Sequence, residues 1–179
     1  LFAIKMYAQV TVDFKITPDT GCVPLEVKFY NTSTSTNGVQ FSWDFGNGSK
    51  PVSTNDLTRQ MIYDKGGRYT VTLTAKQGGN TYSKSKIVTV FNPPDASYRQ
   101  VISSCVPTVV SFESTSSEGD AEITEYKWNF GDGRNYYGPN QAKTYTSPAL
   151  YDVYFRVTDS NGCVSEIAKP LQVFAKPTP

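Results

Sequence analysis

Histidine is absent from the 179 residues of this chain. The side chain best suited to proton transfer near neutral pH is therefore missing, and so is the imidazole most often found on metals. A serine or cysteine nucleophile would lack its usual activating base, and no catalytic residue and no cofactor is expected. Nor does any apolar run approach the roughly 18 residues of a membrane-spanning helix, so membrane insertion is not expected. An excess of one charge is lacking too: 17 Lys and Arg stand against 16 Asp and Glu, a net charge of +1. Such a chain has no long-range field to gather nucleic acid. Helical spacing of apolar residues is missing over any three-turn window, and cysteine is limited to three residues.

What the chain does have is aromatic and β-favouring. Twelve Tyr, ten Phe and two Trp accompany frequent Val, Thr and Ser, a composition suited to strands. The chain also repeats itself. Gly21-Cys22-Val23-Pro24 recurs as Ser104-Cys105-Val106-Pro107, 83 residues on. Phe41-Ser42-Trp43-Asp44-Phe45-Gly46-Asn47-Gly48 recurs as Tyr126-Lys127-Trp128-Asn129-Phe130-Gly131-Asp132-Gly133, 85 residues on. Tyr69 answers to Tyr151 and Val88-Thr89-Val90-Phe91 to Leu171-Gln172-Val173-Phe174. Four blocks in one order at near-constant offset mean one architecture written twice, and the shift from 83 to 85 marks a loop insertion.

Within each copy apolar residues alternate, as in Val27 and Phe29, Phe41, Trp43 and Phe45, or Tyr151, Val153, Phe155 and Val157. Period two with turn signals every eight to twelve residues predicts an all-β fold of two tandem immunoglobulin-like β-sandwiches. The expected layout is domain 1 over 10–92, a proline linker at 93–95, domain 2 over 96–175 and a further linker at 176–179. Two prolines, Pro93 and Pro94, stop any strand from running through the boundary and make a short semi-rigid connection. Residues 1–9 read as the remnant of a secretory signal, a tag or a linker.

The block Trp43-Asp44-Phe45-Gly46-Asn47-Gly48 and its copy Trp128-Asn129-Phe130-Gly131-Asp132-Gly133 resemble the W-D-F-G-D-G signature of polycystic-kidney-disease (PKD) domains. The strand that follows such a signature, aromatic-Gly-x-Tyr-x-Val-x-Leu, has its counterparts in Tyr63 to Leu73 and in Tyr145 to Val157. Departures are Asn47, Asn129 and Leu150, which replace the usual Asp, Asp and Gly. The resemblance covers nearly the whole chain. It implies a non-catalytic, extracellular or cell-surface module of a larger bacterial protein, with its other domains and an extracellular protein or polysaccharide as partners. Spacing and adhesion are one implied role; others are an accessory of a secreted chitinase or peptidase that aids polymer binding, and a calcium-stabilised rigid linker.

A physical reason for the signature stands beside the resemblance. Trp and Phe two apart bury large surfaces on one side, while Gly-x-Gly supplies positive φ for the turn leaving the strand. The alternative reading makes calcium ligands of Asp44, Asn47 and Asp132, although two or three oxygens fall short of the six to eight calcium takes. A disulfide is expected between Cys105 and Cys163, as between cysteines at these positions in bacterial relatives. That leaves Cys22 as a free thiol or a small buried residue. For ligand contact the best candidates are Arg134, Tyr136 and Tyr137, since one of two adjacent tyrosines in an extended segment must point away from the core. The carboxylates Glu118, Asp120, Glu122 and Glu125 read as a solvated loop.

Overall fold

A computed structural model describes residues 10–34, 38–101 and 105–177. The chain divides into two compact units, 1–91 and 92–179. The segment expected as a signal remnant, tag or linker, residues 1–9, lies outside the described residues.

In the first unit, alternation of burial runs through Leu25–Asn31 (β3), where Leu25, Val27 and Phe29 point inward and Glu26, Lys28 and Tyr30 outward. That strand pairs antiparallel with Phe14–Thr17 (β1) and Thr58–Tyr63 (β6) in a three-stranded sheet. The facing sheet has five strands in the order Thr20–Cys22 (β2), Asn80–Phe91 (β8), Gly67–Gln77 (β7), Gln40–Asp44 (β4) and Val52–Ser53 (β5). Side chains from the two inner faces interdigitate around Trp43, which is fully buried and meets Phe14 edge-on at 5.0 Å. By area alone each such tryptophan contributes on the order of 4–6 kcal/mol.

The second unit repeats this plan. Tyr98–Val101 (β9), Thr108–Ser114 (β10) and Asn140–Tyr145 (β13) form the three-stranded sheet. Tyr136–Tyr137 (β12), Ile123–Asn129 (β11), Ala149–Asp159 (β14) and Val164–Val173 (β15) form the four-stranded one. Its core gathers on Trp128, stacked 3.9 Å from Phe155, so each tryptophan has an interior of its own. The phenol of Tyr69 donates to the carbonyl of Lys65, and that of Tyr151 to Ser147, four residues back in both units. This is the tyrosine corner of immunoglobulin-like sandwiches, produced twice although residues 65–69 and 147–151 share only the tyrosine.

The cysteines depart from expectation. Cys22 and Cys163 are the ones that are disulfide-bonded, so Cys22 is not the thiol and the Cys105–Cys163 pairing is overturned. The reason lies in β15. Cys105 bridges to Phe174, just past the end of that strand, and the Val106 amide donates to the Phe174 carbonyl. Cys163 sits in the turn just before its start at Val164. A strand of this length spans about 33 Å, far beyond the roughly 7 Å between Cα atoms that a disulfide tolerates. Equivalent positions in a repeat share an end of the sandwich: Cys22 pairs with Phe91 as Cys105 does with Phe174.

Candidate functional site

The signature turns hold the oxygens that the calcium reading assigns as ligands. Asp44 Oδ1 accepts the Gly46 amide at 2.9 Å, and Asn129 Oδ1 accepts the Gly131 amide at 2.9 Å. Two residues on, Asn47 Oδ1 takes the Ser49 amide and Asp132 Oδ1 the Arg134 amide, each at 3.1 Å. These are Asx turns, in which one side-chain oxygen mimics a backbone carbonyl. An amide oxygen does this as well as a carboxylate, which is why Asp and Asn exchange freely between the two copies. Among the described residues no three acidic or cysteine side chains cluster as a cation would need. The remaining signature residues are structural: Phe45 and Phe130 are buried, while Gly46, Gly48, Gly131 and Gly133 hold positive φ.

Asp132 differs from Asn47 in what its second oxygen does. The Tyr136 hydroxyl donates to Asp132 Oδ2 at 2.7 Å, and the Lys143 ammonium reaches both that oxygen and the Tyr136 hydroxyl. The bond from Lys143, ahead of that from Tyr136, holds the Asp132 carboxyl down at about 2, and Asp132 in turn raises Lys143. Carboxylate and ammonium both stay charged near neutral pH, so this trio has neither a protonated acid nor a free amine to offer chemistry. It replaces an apolar arrangement: in the first unit Val52 stands where Tyr136 does, opposite the tryptophan, and Met61 receives the Asn47 amide.

Tyr136 is therefore committed to the fold, with its ring 5.1 Å from Phe130 and its hydroxyl bonded to Asp132. Tyr137 points the other way and is 59% exposed, while Arg134 lies exposed in the turn. Of the three residues singled out for contact, the structure brings Tyr137 onto the outer face of the four-stranded sheet. The β ladder shows what joins it there. Tyr137 is opposite Lys127, Lys127 opposite Arg156, and Arg156 opposite Glu166, making one row across four strands. The next row sets Asn129 opposite Tyr154 and Tyr154 opposite Ala168. Between the rows runs an open groove of about 440 Å³, lined by Lys127, Asn129, Asn135, Tyr154, Arg156 and Glu166. Tyr154 is 54% exposed, and Leu150, further along β14 on the same side, is 63% exposed. Arg156 is paired with Glu166 at 3.3 Å.

The first unit serves as an internal control. Its corresponding hollow, about 380 Å³, is walled by Gln40, Ser42, Asp44, Thr72, Thr74 and Lys76 and contains no exposed aromatic ring. Thr72 occupies the place of Tyr154 and bonds through its hydroxyl to Ser85 at 2.9 Å. One scaffold thus carries a hydroxyl-covered face in one copy and an aromatic, amide-lined groove in the other. Sequence reading missed Tyr154 because it alternates with Val153 and Phe155 as any outward strand residue would. Lining up the repeats would have exposed it, as a tyrosine where the other copy has threonine.

Two family models match in succession, both described as PKD domain, over residues 13–90 and 92–174. The chain belongs to the PKD domain family. Its relatives include the pre-pro-metalloprotease PrtV of Vibrio cholerae, 30% identical over 149 residues, which takes in 80% of this chain and 16% of that protein. Collagenase ColA of Clostridium perfringens is 32% identical over 136 residues, 74% of this chain and 11% of the collagenase. The chain therefore spans less than a fifth of the curated relatives it matches. A solved PKD1 domain of the Vibrio cholerae protease PrtV is 27% identical, covering 45% of this chain and 96% of that one, with a TM-score of 0.42. A titin I-band fragment, 15% identical with a TM-score of 0.56 over 94% of this chain and 66% of its own, shares the fold alone.

Proposed function

We propose that the two PKD domains form a non-catalytic accessory module of a larger secreted bacterial hydrolase, in which domain 2 holds polymeric substrate through the outer face of its four-stranded sheet. The supporting observation is the difference between the copies: Tyr154, Asn129 and Asn135 line a groove, with Tyr137 exposed on the same face, where the hollow of domain 1 offers Ser42, Thr72 and Thr74 and no exposed ring. Tyrosine presents broad apolar area at low entropic cost, and neighbouring amides bond to the polar groups of a chain laid across it. Both curated relatives named above are proteases, one of them a collagenase, so an insoluble protein is the first polymer to test. Domain 1, with its plain hydroxylated face, acts as the spacer.

Co-sedimentation with insoluble collagen, chitin and cellulose tests the reading. Retention on collagen is expected, with loss of retention when Tyr137→Ala and Tyr154→Ala are combined. Retention on a polysaccharide alone would move the substrate class, and retention unchanged by the double substitution would overturn the assignment of the groove. Retention on none of the three would favour the alternative role of spacer or adhesion segment in a bacterial surface protein.

A further inference from the structure

The proline stretch that reads as a linker is hydrogen-bonded at Asn92 and Asp95, packed against Gly119 at Pro93 and buried at Pro94. The Asn92 amide donates to Asp120 Oδ2 at 2.7 Å, and its side-chain amide reaches both oxygens of the same carboxylate at 3.3 Å. In return the Asp120 amide donates to the Asn92 carbonyl at 3.2 Å. Pro93 is covered by Gly119, where an added Cβ would lie 2.3 Å from the carbonyl oxygens of both Asn92 and Pro93. Pro94 is buried. Asp95 exchanges two backbone bonds with Ser117, at 2.9 and 3.2 Å, and the Ala96 amide donates to Ser165 Oγ at 3.1 Å.

We infer that residues 92–95 are a folded strap of domain 2, gripped by the loop Ser117–Asp120, and not an independent linker. Asp120, read from sequence as a solvated carboxylate, is the residue that closes the grip: it is a charged acceptor for two donors on one residue, the stronger kind of hydrogen bond. Gly119 is required because any side chain would collide with backbone, not with a movable side chain. The two-residue offset between the repeats, 83 before this loop and 85 after it, falls in the same place. Domain 2 thus carries the longer loop, and that loop is the one that holds the strap. A junction fastened in this way presents no slack peptide for a protease to draw into an extended conformation. The inference stands independently of the polymer-contact reading.

Amide hydrogen exchange and limited proteolysis of the full chain test it. In the wild type the Asn92 and Asp95 amides should exchange at least about tenfold more slowly than free-peptide rates, as expected for bonds of this kind. A broad-specificity protease should leave 92–95 uncut. Asp120→Ala should return the Asn92 amide to the free-peptide rate while Trp128 fluorescence is unchanged. Asp120→Asn, which keeps an acceptor, should restore part of the protection. Free-peptide exchange at Asn92 in the wild type, or protection unchanged in Asp120→Ala, would overturn the strap.

Discussion

Gly46 and Gly131 occupy equivalent turns, yet their surroundings set different demands. Both hold positive φ, at 71° and 82°, which costs a side-chain-bearing residue about 1–2 kcal/mol. At Gly131 an added Cβ would come within 3.4 Å of the Asp152 carbonyl oxygen, which a small shift relieves. At Gly46 it would sit 2.6 Å from the Thr70 carbonyl oxygen and 2.9 Å from the Thr70 amide nitrogen, both backbone in a central strand. Gly131→Ala should therefore lower domain 2 stability by about that conformational cost, and Gly46→Ala should lower domain 1 stability by clearly more, measured by denaturant titration of each tryptophan. Equal losses would mean that conformation alone decides. Asp132 gives the second prediction at this scale. Its carboxyl is held at about 2 against an ordinary 3.8, a depressed value. The stabilisation it confers is therefore fully present well above the ordinary 3.8 and is lost as pH falls through about 2. With the pair about a quarter exposed on each side, roughly 1 kcal/mol remains after solvent screening. Asp132→Asn keeps the Asx turn, as Asn47 does in domain 1, and removes the ion pair. The stability gap between variant and wild type should be present at pH 6 and reduced to a small fraction at pH 2.

At the scale of elements, strand length decides the cysteine chemistry. β15 runs unbroken against β14 from Val164 to Val173, and it holds Cys105 and Cys163 at opposite ends of domain 2. Peptide mapping without reduction should yield no fragment joining the Cys105 and Cys163 peptides. Recovering one as a major product would require β15 to be broken or displaced. Sequence placed both cysteines correctly relative to their strands, Cys105 ahead of β10 and Cys163 in the turn before β15. It could not tell which end of the sandwich each reaches, because that depends on how many residues of β15 are paired. The same holds for β12: alternation says that one of Tyr136 and Tyr137 faces out, and the pairing of Trp128 with Tyr136 determines that it is Tyr137.

For the whole molecule, the consequence of two separate cores is separable stability. Trp43 packs among Phe14, Phe29 and Phe45, and Trp128 among Tyr98, Phe112, Phe130 and Phe155. Replacing Trp43 by Ala removes the centre of the first cluster, a loss of about 3–5 kcal/mol. The methyl and indole resonances of domain 2 should keep their dispersion in that variant while those of domain 1 collapse. Collapse of both sets would show that domain 2 does not hold its fold without domain 1.

From the sequence alone came the repeat, the β class, the two tryptophan-centred interiors and the PKD resemblance, since each depends on local alternation, turn chemistry and composition. Tertiary structure alone decided which cysteines are oxidised, that Asp120 grips Asn92, and that Tyr137 and Tyr154 share the outer face of one sheet. Those outcomes join residues far apart in the chain, and they hang on strand register, strand length and loop path, which no local pattern encodes.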